Sequence, residues 1–125
     1  MIKEIHTKNA PEAIGPYSQA IQAGDLVYVS GQIPINPANG EIVEGIENQT
    51  EQVLKNLQAI LKEAGTDFNQ VVKFTIFVAN MDHFSTVNEI YGKYLEKPYP
   101  ARATVEVSRL PKDVLVEMDV VAYTK

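Results

Sequence analysis

Hydrophobic positions near the start of the chain predict two short strands. Residues 20–23 and 26–30 are mainly apolar and flank the pair Gly24-Asp25, which is typical of a tight β-turn. The nearly continuous apolar character of 26–30 indicates a strand covered on both faces. We expect this strand to end at Gly31, and the prolines and Asn-Gly pair within 33–40 indicate a loop.

The middle of the chain changes to helical spacing, with one strand between two helices. Apolar residues recur every three or four positions over about 46–64, which predicts an amphipathic helix ended by Gly65. The β-branched and aromatic run 71–79 predicts a central strand. Asp82 is the expected N-cap of a second amphipathic helix, which must end before Pro98.

The last quarter of the chain alternates between apolar and polar residues and predicts a β-hairpin. Strands at 101–108 and 114–122 would join through a turn at Pro111-Lys112, in the register that brings the two apolar rows together. Glu106 then lies directly opposite Glu117, an unfavourable pair on an open sheet. One face carries the polar residues Arg102, Thr104, Glu106, Glu117 and Asp119. The alternative interpretation is an ordinary solvated face on which Arg102 and Arg109 offset the acids.

The order of strands, helix, strand, helix and strands predicts the fold class. It indicates one α+β domain over residues 1–125, with both helices on one face of the sheet. The polar face of the hairpin then has no cover within the chain. Because a sheet that contains the apolar strand 26–30 should not be half bare, we expect another subunit to cover it.

Composition narrows the classes of function. The chain has no cysteine, which excludes disulfides and thiolate chemistry, and no run approaches the ~20 apolar residues of a membrane span, so a cytoplasmic protein is expected. A net charge of −5 opposes general nucleic-acid binding, because phosphate contacts dominate that affinity. His6 and His83 are far apart and belong to no metal-binding motif, so no metal site is expected.

Arg102 and Glu117 have the clearest chemistry on the predicted hairpin. A covered guanidinium needs an anion, and its planar fork binds a carboxylate through two hydrogen bonds. The predicted register separates the two residues by about 13 Å, so they would flank a small pocket rather than form one ion pair. One cation and one carboxylate suit a small anionic substrate and a water molecule.

Other polar positions each carry two interpretations. Tyr17 either belongs to a simple turn or presents its ring and hydroxyl to a pocket. Ser30 and Gly31 either end a strand or bring backbone amides close to a ligand, and no GxSxG motif supports a serine hydrolase. Asn88, beside the apolar stripe of the second helix, either satisfies a backbone group or reaches the edge of a site.

Several motifs, in order and spacing, resemble the RidA family of reactive intermediate (imine/enamine) deaminases, also called YjgF proteins. The resemblance covers essentially the whole chain. The matching blocks are Asn9-Ala10-Pro11, Ile14-Gly15-Pro16-Tyr17-Ser18, Ser30-Gly31-Gln32-Ile33-Pro34, Val87-Asn88, Tyr91-Gly92, Pro100-Ala101-Arg102, Leu110-Pro111-Lys112-Asp113 and Val116-Glu117-Met118.

The resemblance implies a chorismate-mutase-like α+β fold, with a mixed, mainly antiparallel sheet, assembled as a homotrimer. The sheets would form a central barrel, with three sites in the clefts between subunits. The implied reaction is hydrolysis of 2-imino acids such as 2-iminobutanoate and 2-iminopropanoate, or of their enamine tautomers 2-aminocrotonate and 2-aminoacrylate, to 2-oxo acids and ammonia. No cofactor and no metal are implied.

Roles carried over from the resemblance fall on matching positions of this chain. Arg102 matches the arginine that binds the substrate carboxylate, and Glu117 matches the glutamate that positions or activates water. Tyr17, Ser30, Gly31 and Asn88 match positions at the pocket. Thr104 stands where many members have cysteine, so thiol-dependent activity is in doubt here, although its hydroxyl can donate to a substrate oxygen.

Two further classes of function remain open on the sequence. One is a protein that binds 2-oxo acids without catalysis and regulates other proteins. The other is the RNA-cleaving, translation-inhibiting activity proposed for some relatives. The charge of −5 and the lack of a paired histidine site count against RNA cleavage.

Overall fold

The computed structural model describes residues 1–124 as an α+β domain in which two helices cover one face of a six-stranded sheet. Both the fold class and the placement of the helices on one face are therefore confirmed. A small hairpin, whose two strands have two residues each, lies within the loop that follows the third strand. In chain order the elements are β1 (Ile2–Ile5), β2 (Ala20–Ala23), β3 (Leu26–Gln32), β4 (Ile35–Asn36), β5 (Glu41–Ile42), α1 (Ile46–Glu63), β6 (Val71–Val78), α2 (Phe84–Lys93), β7 (Ala101–Glu106) and β8 (Val116–Tyr123).

The predicted closing hairpin is wrong, because β6 lies between its two strands. The sheet order is β1-β2-β3-β8-β6-β7, and every pairing is antiparallel except that of β6 with β7. Glu106 pairs with Val78 and Glu117 with Phe77, so the two glutamates are not opposite each other. The segment between the strands forms a short 3-10 turn over Pro111–Asp113 rather than a two-residue hairpin turn.

The pairing also divides the predicted polar face between the two sides of the sheet. Residues paired across strands point to the same side. Arg102 pairs with Phe74, which is fully buried under the helices, so Arg102 and Thr104 lie on the helix side. Glu117 pairs with Phe77, and Asp119 shares its side, which the helices do not cover.

The hydrophobic core lies between the sheet and the two helices. α1 confirms the predicted helix, and Gly65 follows its end with φ +82°, a value that glycine adopts without strain. The second helix is also confirmed, but its predicted N-cap is wrong. The N-cap of α2 is His83, which makes no side-chain capping hydrogen bond, and Asn80 instead caps the preceding 3-10 turn by accepting from the Asp82 amide. The fully buried side chains include Val53, Leu54, Leu57, Ile60, Leu61, Phe74, Ile76, Val87 and Met118.

The open side of the sheet is partly apolar. Val27 and Val29 are buried, but Tyr28 between them is 49% exposed and Val105 on β7 is 42% exposed. The prediction that strand 26–30 is covered on both faces is therefore wrong for one chain alone. These residues leave a surface that a second subunit could cover.

One buried glutamine, Gln19, links the N-terminal segment to the sheet through hydrogen bonds. Gln19 is 2% exposed, accepts from the Thr7 amide at 2.8 Å, and donates to the carbonyls of Thr7 at 3.0 Å and Pro11 at 2.8 Å. These hydrogen bonds hold residues 7–11 against the start of β2. Within residues 1–124, no helix combines the length and apolar character needed to span a bilayer.

Candidate functional site

Two pockets hold the predicted site residues other than Thr104, and Glu117 lies in the first. This pocket, of about 400 Å³, lies where β3 shifts register against β8 between Val29 and Gln32. A Cβ at Gly31 would collide with the Glu117 carboxylate oxygen Oε2, so glycine is needed for the carboxylate to lie against β3. The lining residues are Ile14, Tyr17, Ser30, Gly31, Ile33, Pro111, Lys112 and Glu117.

Glu117 has a carboxyl group whose pKa lies above that of an ordinary glutamate. Its half-buried position raises the pKa of its carboxyl, and the negative charge of Asp119 raises it further. Burial also raises the pKa of Asp119, although a hydrogen bond from Thr75 and the charge of Lys73 oppose that shift. A carboxylate with a raised pKa is a stronger base than that of an ordinary glutamate, so it accepts a proton from water more readily.

Ser30 and Tyr17 shape one wall of the Glu117 pocket. The Ser30 hydroxyl donates to the Ser18 carbonyl at 2.6 Å, and its amide donates to the Gln19 carbonyl at 2.9 Å. The Ser30 hydroxyl is thus committed to holding the loop that carries Tyr17, whose side chain is half exposed beside Gly15. Ser30 therefore positions the wall of the pocket that Tyr17 lines.

Arg102 lies in a second pocket, of about 490 Å³, on the helix side of the sheet. Its Nη1 donates to Asn88 Oδ1 at 2.5 Å, and its guanidinium carbon lies 5.3 Å from the Phe84 ring centroid and 5.0 Å from that of Tyr91. Phe84, Asn88 and Tyr91 follow one another at helical spacing on α2, so one face of α2 orients the fork.

The Arg102 guanidinium lacks a carboxylate partner. In residues 1–124 the ion pairs are His6 with Glu12 and Arg109 with Asp113. A guanidinium held by an amide and two rings, with the rest of its fork free, is suited to binding a carboxylate in two-point geometry.

Thr104 lies two residues beyond Arg102 on the same side of β7. Its Oγ1 is buried and has no hydrogen-bond partner among the described residues. A buried hydroxyl without a partner is costly, so a hydrogen bond to a water molecule or to a ligand oxygen would lower that cost. The alternation of residues along the strand places Thr104 on the same side as Arg102. Nothing else in the sequence indicates that its hydroxyl lacks a hydrogen-bond partner.

The two pockets do not meet within one chain. Arg102 and Glu117 lie two strands apart, three residues along the sheet and on opposite sides of it, so standard strand spacings separate their Cα atoms by about 14 Å. The separation is close to the predicted one, but the predicted shared face is wrong. Tyr17, Ser30 and Gly31 accompany Glu117, whereas Asn88 and Thr104 accompany Arg102.

Several lining residues were missed by reasoning from the sequence. Tyr91 was assigned to the core, yet it also flanks Arg102, and burial raises the pKa of its hydroxyl more than the nearby Arg102 charge lowers it. Lys112 was assigned only to a turn. For Tyr91 the helical spacing from Asn88 was the available signal. Residues 1–124 hold no group of three or more metal-ligating side chains in one place.

Comparison with known proteins shows the family. Residues 7–124 match the family described as Endoribonuclease L-PSP. The chain is 53% identical over 124 residues to a RutC family protein of Pyrococcus horikoshii, covering 98% of each. It is 49% identical over 121 residues to the 2-iminobutanoate/2-iminopropanoate deaminase of Mus musculus, covering 96% of this chain and 90% of the mouse protein.

Solved structures show the same relationship. A conserved Rid family protein of Yersinia pestis superposes with a TM-score of 0.97 at 55% identity, covering 99% of this chain and all of that one. E. coli TdcF, solved with bound serine, superposes with a TM-score of 0.94 at 40% identity, covering 98% of this chain and 99% of that one. With its sequence matched almost end to end and its sheet and helices superposed, the chain belongs to the RidA (YjgF) family.

Proposed function

We propose that the protein hydrolyses reactive 2-imino acids to 2-oxo acids and ammonia. The proposed substrates are 2-iminopropanoate, 2-iminobutanoate and their enamine tautomers 2-aminoacrylate and 2-aminocrotonate. The observation that carries this proposal is the Arg102 guanidinium, which α2 orients and which has no carboxylate partner in residues 1–124. The name of the mouse relative, a 2-iminobutanoate/2-iminopropanoate deaminase, supports the same chemistry.

In this proposal Arg102 binds the substrate carboxylate and Glu117 acts on water. Glu117 accepts a proton from water as the water oxygen bonds to the carbon of the protonated imine, and the product is a neutral carbinolamine. Glu117 returns that proton to the nitrogen, and the carbon–nitrogen bond breaks. As the carbon–oxygen double bond forms, the departing ammonia takes the hydroxyl proton and leaves as ammonium. Assistance from a general base is worth about 10²–10⁴-fold in rate. These steps use no cofactor.

The other site residues hold these groups and the substrate in place. Asn88 orients the Arg102 fork through its hydrogen bond. Gly31 leaves room for the Glu117 carboxylate and offers a backbone amide to the substrate. The Thr104 hydroxyl donates to a substrate oxygen, and Tyr17 closes the wall of the Glu117 pocket.

The complete site then requires two copies of the chain, with Arg102 from one and Glu117 from its neighbour. The opposite orientation of the two pockets supports this arrangement, because bending one chain cannot unite them without breaking the sheet. The exposed apolar residues of the open face, Tyr28 and Val105 among them, supply a surface for assembly. We propose the homotrimer with three shared sites that the family resemblance implies.

A coupled assay tests this proposal. A pyridoxal-phosphate lyase generates 2-aminoacrylate, and the release of pyruvate is followed with and without this protein. Arg102→Ala should lower the acceleration by about 10²-fold or more, because the substrate carboxylate loses its anchor. Lys55→Ala, which removes one exposed charge on α1, is the matched control. An Arg102→Ala protein that folds and retains the wild-type rate would refute the proposal.

A binding protein is the second candidate, because E. coli TdcF was solved with serine bound. If the protein binds 2-oxobutanoate in an Arg102-dependent manner yet leaves imine loss at the uncatalysed rate, the binding function is correct and the deaminase function is wrong. Calorimetric titration beside the coupled assay separates the two.

A further inference from the structure

Lys112 is held in a backbone conformation that side chains with a Cβ seldom adopt. Its φ of 57° and ψ of 21° lie in the left-handed region, and Asp113 after it has φ 58°. Neither residue is a glycine, although glycine would enter this region without strain. Two such residues in succession indicate that the turn is held in place by its surroundings.

The contacts around Lys112 show what holds the turn. Arg109 binds the Asp113 carboxylate through two hydrogen bonds, from Nε at 2.5 Å and from Nη2 at 3.1 Å. The Asp113 amide donates to the Leu110 carbonyl at 3.0 Å, and Pro111 fixes its own φ. Arg109 and Asp113 are thus paired with each other. Lys112 is the charged residue of this turn that lines the Glu117 pocket.

The Lys112 ammonium has no acidic partner. Among residues 1–124 it forms no ion pair. The pKa of Glu117, which lines the same pocket, is raised by burial and by the charge of Asp119, and no cation among the described residues offsets this rise. Ile14 and Ile33 line the pocket with these two charged residues. The pocket is therefore lined by a carboxylate, two apolar residues and a lysine that forms no ion pair in the described residues.

We propose that Lys112 selects substrates by binding an anionic group at the far end of the substrate side chain. The inference rests on the proposed function, in which Arg102 binds the carboxylate next to the imine. A substrate with that single carboxylate leaves Lys112 without an anion, whereas a dicarboxylic imino acid supplies one. The pocket volume of about 400 Å³ gives room for a side chain longer than a methyl or ethyl group.

Two other roles for Lys112 lead to different behaviour. If the ammonium contacted the same carboxylate as Arg102, its loss would weaken every substrate equally. If it acted only by attracting anions over a long distance, its loss would lower kcat/KM for every anionic substrate, more for a dianion, and the difference would disappear at high salt. Direct contact with the substrate side chain instead makes the loss depend on the second carboxylate at high salt as well.

The kinetic test compares two imines made by an amino-acid oxidase, 2-iminoglutarate from glutamate and 2-iminopropanoate from alanine. Imine loss is measured by trapping the remaining imine with semicarbazide. Lys112→Met should raise KM for 2-iminoglutarate by about fivefold or more relative to its effect on 2-iminopropanoate, with a smaller effect on kcat. Lys112→Arg should restore the preference, and Lys55→Met is the control for loss of a surface charge.

A binding test separates this inference from the proposed function. The affinities of the wild type and Lys112→Met for 2-oxoglutarate and 2-oxobutanoate are measured by calorimetry. Selective weakening of 2-oxoglutarate binding supports selection by Lys112 even if neither imine is hydrolysed, an outcome that would refute the deaminase proposal alone. Equal changes for both ligands, in binding and in KM, would overturn the role of Lys112.

Discussion

Gly31 is a residue whose missing side chain decides the position of a charged one. A Cβ at this position would meet the end of the Glu117 side chain rather than backbone atoms. Gly31→Ala should therefore leave the fold intact, because the flexible carboxylate can move away. It should lower the deaminase rate by about tenfold or more, since a catalytic group displaced by an ångström is costly. Thermal unfolding and the coupled assay give the two readouts.

The double variant tests whether Gly31 acts through Glu117. If it does, Gly31→Ala combined with Glu117→Gln should be no slower than Glu117→Gln alone. Independent, multiplying losses would show that Gly31 contributes by another route, such as its backbone amide.

The raised pKa of Glu117 predicts the pH dependence of the reaction. A general base must be ionised, and burial followed by the Asp119 charge moves the Glu117 pKa above its ordinary value of 4.5. The rate should therefore fall on the acid side at a pH above 4.5. Asp119→Asn removes the second cause, so the acid limb of the kcat profile should move to lower pH. A limb that stays in place would show that Asp119 does not influence the base.

At the scale of residues, local pattern grouped part of the site correctly. Alternation along a strand correctly placed Arg102 with Thr104, and Glu117 with Asp119, because it depends only on the chain's own pleat. It could not relate the two pairs to each other. That relation depends on a third strand, β6, whose Phe74 pairs with Arg102 and whose Phe77 pairs with Glu117 although both lie far earlier in the chain.

At the scale of elements, the hairpin error shows where sequence neighbours mislead. The predicted turn does form at Leu110-Pro111-Lys112-Asp113. The strand that follows it, β8, pairs with β6 and not with β7. Both arrangements bury Val116 and Met118, so the apolar pattern alone cannot choose between them. The helices were easier to predict because their hydrogen bonds are local and their apolar stripes are periodic.

One buried side chain of α1 connects that helix to the strand that carries Glu117. Gln49 accepts from the Leu115 amide at 2.8 Å and donates to the Val43 carbonyl at 3.1 Å. Gln49→Leu would leave both backbone groups without a partner. It should lower the free energy of unfolding by about 1–3 kcal/mol, measured by urea denaturation at fixed protein concentration.

A matched variant on the same helix controls for the change in composition. Gln58 is exposed, so Gln58→Leu should change the stability far less. Equal losses for the two variants would mean that the Gln49 hydrogen bonds contribute little.

At the scale of the whole molecule, the shared site predicts complementation between inactive variants. Arg102→Ala and Glu117→Gln should each be nearly inactive alone. When the two chains are expressed together and mix at random, about a quarter of the sites of a trimer combine an intact Arg102 with an intact Glu117. The coupled assay on the purified mixture should show this recovered activity.

Separate purification followed by mixing without exchange of subunits is the control, and it should show no recovery. Mass spectrometry verifies that the co-expressed mixture contains mixed assemblies. If these assemblies recover no activity, Arg102 and Glu117 must act within one chain, which would contradict the shared site.

The opposite orientation of Arg102 and Glu117 also has a genetic consequence. If each chain contributes to two sites, a chain that is defective on both faces spoils a site with each neighbour. A cell that makes intact and defective chains in equal amounts would keep about one working site in four rather than one in two. Harmful alleles that still assemble would then be partly dominant, whereas alleles that prevent folding would be recessive.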